Sequence, residues 1–376
     1  MKHLLAGTAF LLLLCTNIKA NHNISDLSSI DDIALNTPQY AANSIESLVI
    51  YGQSNTQSEL ELVRFYFVWL AQNIAYDTVE FEATKRTLAK QSFDSVFQNR
   101  KAICRGYADL LAVLCQKSGI DARTISGYTK TIGQKPNLSE VHAWNAIKIQ
   151  DKWHLFDVTW ASNYLVCSGR VDYRFNDYFL QSPTEFTKRH FPFDPIWQLS
   201  NKIIVPDAFF SDKIDRITVD YFTDYTKILA EEAVLLSYEQ HIKSYERAIS
   251  FLPDEKRLHN ILNYHKSEKA YYLFEKANQL LERFRNQKDI DVQEWRKQDF
   301  KEILSNAQEA KVLFEGAFQL YETMSLTVEQ EDVALIHANK EAIAQNNELT
   351  VKLIQYLQNL EFEMNKIHLA GTNKRN

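Results

Sequence analysis

The chain has 376 residues, 45% of them hydrophobic, which is ample for a packed core in one large domain or two ordinary ones. Its formal charge of −6, without long runs of one sign, gives no basic footprint for nucleic acid and no charged interaction tail.

The first twenty residues read as a secretory signal peptide. Lys2 and His3 precede an apolar run from Leu4 to Leu14, too short to span a bilayer, and Ile18-Lys19-Ala20 offers a cut after Ala20. Leu14 is too bulky beside Cys15 for a lipidation site. The expectation is a secreted or periplasmic protein with no transmembrane anchor after cleavage. Three cysteines then remain, Cys104, Cys115 and Cys167, so at least one thiol is unpaired or joined to another chain. Eleven residues along one helix separate two cysteines by about 16 Å, beyond disulfide reach, which excludes Cys104–Cys115 and leaves Cys115–Cys167 open.

Ser58 to Asn73 reads as an amphipathic helix with Leu62, Phe65, Tyr66, Trp69 and Leu70 on one stripe, and Trp69 in the core. Tyr107, Leu110, Leu111 and Leu114 continue a helical spacing that Gly119 terminates, with Cys104 at the helix start. A helix start favours a thiolate through its unpaired N–H groups and dipole, and Gly106 leaves room for close approach. Taken alone, Cys104 is equally a small buried hydrophobe.

Ala122 to Tyr128 has strand character, and Thr129 to Glu140, with Gly133 and Pro136, reads as a surface loop bordering a cleft. Val141 to Ile149 and Lys152 to Trp160 are β-rich runs around Gln150-Asp151. A two-residue turn there sets Ile149 opposite Lys152, Trp144 opposite Asp157 and His142 opposite Thr159, making His142 and Asp157 diagonal neighbours on one face. A three-residue loop would put them on opposite faces. Cysteine, histidine and carboxylate are the parts of a thiol nucleophile system: attack, proton transfer and imidazole orientation. Each has a bland reading alone, but their matched facing is hard to obtain by accident.

The same residue types bind metals, yet the chain has no CxxC, HxxxH or HExxH spacing, so no metal is expected. It also lacks GxxxxGK[ST], GxGxxG and GxSxG motifs for phosphates or a serine nucleophile.

Before about residue 210 the chain mixes helical and strand patterns and holds six of the seven prolines. Beyond Asp220, Leu, Ile, Phe and Tyr recur three and four apart among Glu, Lys and Gln, with Pro253 and Gly316 as the only breakers before Gly371. Helices are expected over about 221–251, 255–287, 291–324 and 328–368, joined at 286–289 and 325–327, as an antiparallel bundle. The segment from Leu273 to Glu282 echoes that from Leu313 to Glu322 at an offset of forty, a weak sign of helical repeats.

The strings from Cys104 to Tyr107, His142 to Asn145 and Asp157 to Trp160 resemble the transglutaminase-like superfamily of papain-type thiol enzymes, in its branch resembling kyphoscoliosis peptidase. Trp69 and Asn73-Ile74-Ala75-Tyr76-Asp77 are similar to that branch upstream. Tyr178-Phe179-Leu180, Pro183, His190-Phe191-Pro192 and Asp194 to Leu199 are similar to its closing segment. The likeness covers about 58–200; Ala102 and Ala161-Ser162 stand where glycine is common. It implies a papain/transglutaminase-like core with the cysteine helix packed on an antiparallel sheet; with the all-α helical bundle read from the spacing beyond Asp220, which has no counterpart in the resemblance, the expected class is α+β. The expected domains are 1–20 as signal peptide, 21–210 as catalytic domain and 211–376 as helical domain.

By that resemblance Cys104 is the nucleophile, His142 the general base and acid, and Asp157 the orienting residue. An acyl-thioester forms from a glutamine side chain or peptide carbonyl of a protein or peptide substrate. Its oxyanion is held by the Cys104 N–H and a second donor, for which Gln98 is the papain-like candidate. No acidic calcium loop is present, and no cofactor is expected. The competing expectation is a non-catalytic scaffold that recruits a protein partner through its helical half.

Overall fold

A computed structural model describes residues 27–84, 92–131, 133–162, 173–211, 218–285, 297–324 and 330–372. The signal-peptide reading, Cys15, Cys167 and both expected inter-helix connections lie outside them.

Three helices open the described chain: α1 (Ser28–Leu35), α2 (Ile45–Asn55) and α3 (Glu59–Asn73). Ser44 caps α2 in a reciprocal pair with Ser47, each oxygen accepting the other's backbone N–H at 3.0 Å. Ser58 caps α3 by accepting from the Glu61 N–H at 3.2 Å. The single stripe expected on α3 is too narrow, because its residues from Leu62 to Ala71 are all buried. Even Arg64 is only 1% exposed. Its guanidinium forks onto Asp31 of α1 at 2.6 and 2.9 Å and lies over the Phe179 ring. A central helix thus carries a cation because α1 supplies the matching carboxylate. Trp69 is in the core as expected, stacked on Phe97 at 5.5 Å.

Next come β1 (Ala75–Tyr76), α4 (Thr78–Thr84), α5 (Phe93–Asn99), β2 (Lys101–Ala102) and α6 (Cys104–Lys117). β1 and β2 form a short parallel ladder, Ala75 with Lys101 and Tyr76 with Ala102. That ladder sets Tyr76 beside the start of α6. Gly119 follows α6 with a positive φ of 82°, where a left-handed residue ends the helix.

The main sheet contains β3 (Ala122–Thr129), β4 (His142–Ile149), β5 (Lys152–Phe156) and, from further along the chain, β6 (His190–Pro192). Its order is β5-β4-β3-β6, antiparallel throughout. Gln150 and Asp151 both have positive φ, 48° and 62°, and Ile149 pairs with Lys152. This is the expected two-residue turn, and the register runs on to Asn145 opposite Phe156. The second strand stops short of the expected Trp160: residues 158–162 are helical. Asp157 causes the change, its Oδ1 accepting the Trp160 N–H at 3.0 Å in the manner of a helix N-cap.

Gly127 on β3 pairs with both His142 and Pro192. A Cβ there would come within 2.1 Å of the Phe191 carbonyl and 2.7 Å of the Trp144 ring. Only glycine lets the three strands close at this point.

Between β5 and the helical half lie α7 (Tyr173–Asn176), α8 (Pro183–Phe186), β7 (Lys202–Ile204), α9 (Pro206–Phe210) and β8 (Thr218–Asp220), with a 3-10 turn at Pro195–Gln198. The two sheet faces enter different apolar clusters. Ala122, Ile147 and Phe156 join α3 and α6; Ile125, Trp144, Ala146 and Leu155 join Phe191, Phe209, Phe251 and Leu258. The second cluster crosses the expected boundary at 210, so chain texture changes there while packing does not.

The expected helix over 221–251 is two, α10 (Tyr225–Ala233) and α11 (Ser237–Phe251). Then follow α12 (Lys256–Arg285), α13 (Lys297–Glu322) and α14 (Gln330–Thr372). Tyr238 meets Tyr272 while Tyr245 meets His265, and Lys266 meets Thr323 while Phe274 meets Phe314, so α11, α12 and α13 run antiparallel. Phe274 and Phe314 are equivalent positions of the forty-residue echo. Arg247 of α11 bonds Asp194 through two nitrogens at 3.0 and 2.8 Å and also Glu232 of α10, fastening the helices to the sheet-containing half. Among the described residues no helix is long and apolar enough to cross a membrane.

Candidate active site

Cys104 is the first residue of α6, and Ile103 at the N-cap makes no side-chain cap. Cys104 therefore sits where the first-turn N–H groups lack helical partners and the positive end of the dipole lies. Cys104 packs with Ala108 and Ala143, side chains small enough to let α6 approach the sheet closely. It is a buried free thiol, 6% exposed. Cys115 is also a free thiol, fully enclosed, and burial pushes its pKa up.

The histidine comes from the first residue of β4 and the aspartate from the residue after β5. His142 Nε2 lies 2.8 Å from Asp157 Oδ2, as the hairpin facing predicts for diagonal neighbours. With Nε2 committed to Asp157, Nδ1 is the ring nitrogen left for the Cys104 thiol, which lines the same cleft and donates to the carbonyl of Val141, the residue before His142, at 3.9 Å. All three expected residues therefore converge.

Burial disfavours the His142 imidazolium, but Asp157 and then Cys104 outweigh it, and the pKa is raised to about 10. Burial would likewise raise Asp157, yet His142 first and His190 next hold it well below the usual carboxylate range. A protonated imidazole between a carboxylate and a sulfur is the charge arrangement that sustains a thiolate.

The sequence reading missed the role of His190 beyond its motif string. This residue opens β6, and its Nε2 donates to the same Asp157 Oδ2 at 2.8 Å. It is 1% exposed and stacks on Phe186 at 4.0 Å. Burial lowers its pKa against the pull of Asp157, while the His142 charge lowers it further, so His190 is the neutral one of the pair. The ligand atoms of His142, Asp157 and His190 converge within 4.8 Å, a spacing that suits a metal. As hydrogen-bonded here, Asp157 Oδ2 accepts from both imidazoles.

A cleft of about 270 Å³ opens over the site, lined by Tyr76, Phe81, Cys104, Glu140, His142 and Trp160 among others. Thr129, Asn137 and Glu140 bring the expected bordering loop to its edge. Burial first, then Cys104 and Glu140, push the Tyr76 pKa up. Gln98 is elsewhere: it is exposed on α5 and absent from the cleft lining, so the expected second oxyanion donor is not at the site. The Asn73 to Asp77 string was the available signal for Tyr76; the two-residue ladder that delivers it has no sequence signature.

Comparison with known proteins agrees with this geometry. The model of the Transglutaminase-like superfamily matches residues 47–158. Kyphoscoliosis peptidase of Homo sapiens is 30% identical over 181 residues, covering 46% of this chain and 27% of the relative. The Mus musculus protein of that name is 33% identical over 148 residues, covering 38% and 22%. Lim and transglutaminase domain protein ltd-1 of Caenorhabditis elegans is 26% identical over 197 residues, covering 46% and 25%. The matched region thus spans about a quarter of each curated relative's length. With fold, motif order and relatives in agreement, the segment 47–158 is the core of a transglutaminase-like domain, of the branch that resembles kyphoscoliosis peptidase.

Proposed function

We propose that the chain is an exported thiol enzyme that acts on amide bonds of proteins or peptides through an acyl-thioester on Cys104. The observation that carries this reading is the convergence of Cys104, His142 and Asp157, with His142 bonded to Asp157 and lining one cleft with Cys104. The thiolate attacks an amide carbonyl, the oxyanion takes the Cys104 backbone N–H, and the His142 imidazolium gives its proton to the departing amine. Water or a second amine then gives a proton back to His142 and attacks the thioester, releasing an acid or a new amide and restoring the thiolate. Hydrolysis, deamidation and amine transfer share these steps and differ only in the substrate amide and the acceptor. A cleft of about 270 Å³ takes one side chain or a short stretch of backbone.

The test is labelling of the full chain with iodoacetamide, followed by mass spectrometry of a peptide mixture incubated with it. Rapid alkylation at Cys104 that slows in His142→Ala, with cleaved, deamidated or cross-linked products lost in Cys104→Ala, is the expected result. Equal alkylation in wild type and His142→Ala would sink the reading.

A further inference from the structure

Two imidazoles share one oxygen of Asp157, and of the two His142 lines the cleft with Cys104. Oδ2 accepts from His142 and from His190, each at 2.8 Å, while Oδ1 accepts the Trp160 N–H at 3.0 Å. The carboxylate is fully buried. His190 is walled in by Phe186, Trp160 and Trp144, with ring centres at 4.0, 4.7 and 5.1 Å, and has no freedom to turn away. The charged groups that act on it most strongly are Asp157 and His142.

From this geometry we infer that His190 is a positioning residue for the thiol chemistry, a fixed neutral donor that sets the orientation of Asp157 and thereby of His142. The inference rests on the proposed thiol mechanism. Asp157 is an acceptor only, so the bond places a proton on His190 Nε2, and the buried Nδ1, which has no hydrogen-bond partner among the described residues, is the bare nitrogen of the neutral ring. A carboxylate pinned at both oxygens cannot rotate when the proton leaves His142, so Nδ1 keeps its aim at Cys104 through the cycle. By taking part of the Oδ2 electron density, His190 also limits how tightly Asp157 retains the imidazolium. Without it, His142 would hold its proton more strongly and release it to a leaving amine less readily.

The experiment compares full-length His190→Phe, which keeps the ring stack and removes the donor, with His190→Gln, which keeps an N–H near the same place. The probe is iodoacetamide across a pH series. Alkylation of Cys104 is expected to slow about tenfold to a hundredfold in His190→Phe, as for loss of a partner that orients a reacting group. Its alkaline limb should move to higher pH, and His190→Gln should recover both the rate and the limb. A folded His190→Phe with the wild-type rate and profile overturns the inference, as does a Gln variant no better than Phe. Should His190→Phe not fold, nitrogen-15 histidine spectra of the wild type decide: an uncharged Nε2–H tautomer across about pH 5 to 8 is required, and a cation or an Nδ1–H form overturns it. Failure confined to His190 leaves the thiol mechanism standing, whereas indifference of Cys104 to His142→Ala removes both.

Discussion

Asn145 donates its side-chain amide to the main-chain carbonyl of Ala108 at 2.8 Å, so β4 is tied to α6 one helical turn beyond Cys104. The strand that carries His142 is thereby held at a fixed height against the helix that carries Cys104. Asn145→Leu, close in size and lacking the donor, should cost about 1–2 kcal/mol of stability and slow Cys104 alkylation more than that loss alone accounts for. Urea unfolding and alkylation rates on the same sample check this.

Tyr76 and Gln98 give opposite expectations. Tyr76→Phe should lower product formation by about tenfold or more, because it strips a hydroxyl from the cleft wall beside the thiol. Gln98→Ala should leave turnover unchanged, since Gln98 faces solvent on α5. Reversal of that ranking in product assays would restore Gln98 as the oxyanion donor.

His142 binds its proton more tightly in the folded chain than the unfolded value of 6.5, at about 10. Its contribution to stability is therefore fully present below pH 6.5 and disappears as pH rises through about 10. Asp157 works at the other end, its contribution falling away as acid protonates a carboxylate held low. Urea titrations at neutral and alkaline pH should show wild type losing more stability across that window than His142→Gln.

Asp31→Ala would strand the Arg64 cation inside the core, and a loss of about 3–5 kcal/mol is expected. Arg64→Met together with Asp31→Ala should recover part of that loss, because the buried charge is then gone as well. Denaturant midpoints of the two variants separate these outcomes.

Gly127→Ala should weaken the sheet at the point where three strands meet. Its Cβ would collide with the Phe191 carbonyl, a main-chain atom that moves only if β6 moves. A loss of at least about 1–3 kcal/mol is expected, with slower Cys104 alkylation as His142 and His190 shift with their strands.

Legibility in the sequence followed the range of each interaction. The facing of His142 and Asp157 could be read because a two-residue turn and a period of two fix the register from local chemistry alone. Cys104 at a helix start was equally local. His190 was not legible as a partner of Asp157, since it arrives 33 residues later on a strand that pairs with β3, at the far side of the sheet from β5. Asp157 misled the strand reading because β-rich composition continues to Trp160, whereas the carboxylate caps a helical turn. Gln98 failed because spacing before the cysteine says nothing of which way α5 turns its side chains. Helix α3 looked one-sided in pattern, yet its polar Arg64 is buried by a partner 33 residues away.

The cluster that joins Trp144 and Phe191 to Phe209, Phe251 and Leu258 makes the unit of folding longer than the unit of chemistry. A chain ended at 210 would keep all four residues around the thiol yet leave the back of the sheet bare, with Phe191 robbed of its stacked neighbour Phe251. Such a fragment should emerge sticky and poorly folded, and a minimal folded unit needs to run at least through the start of α12.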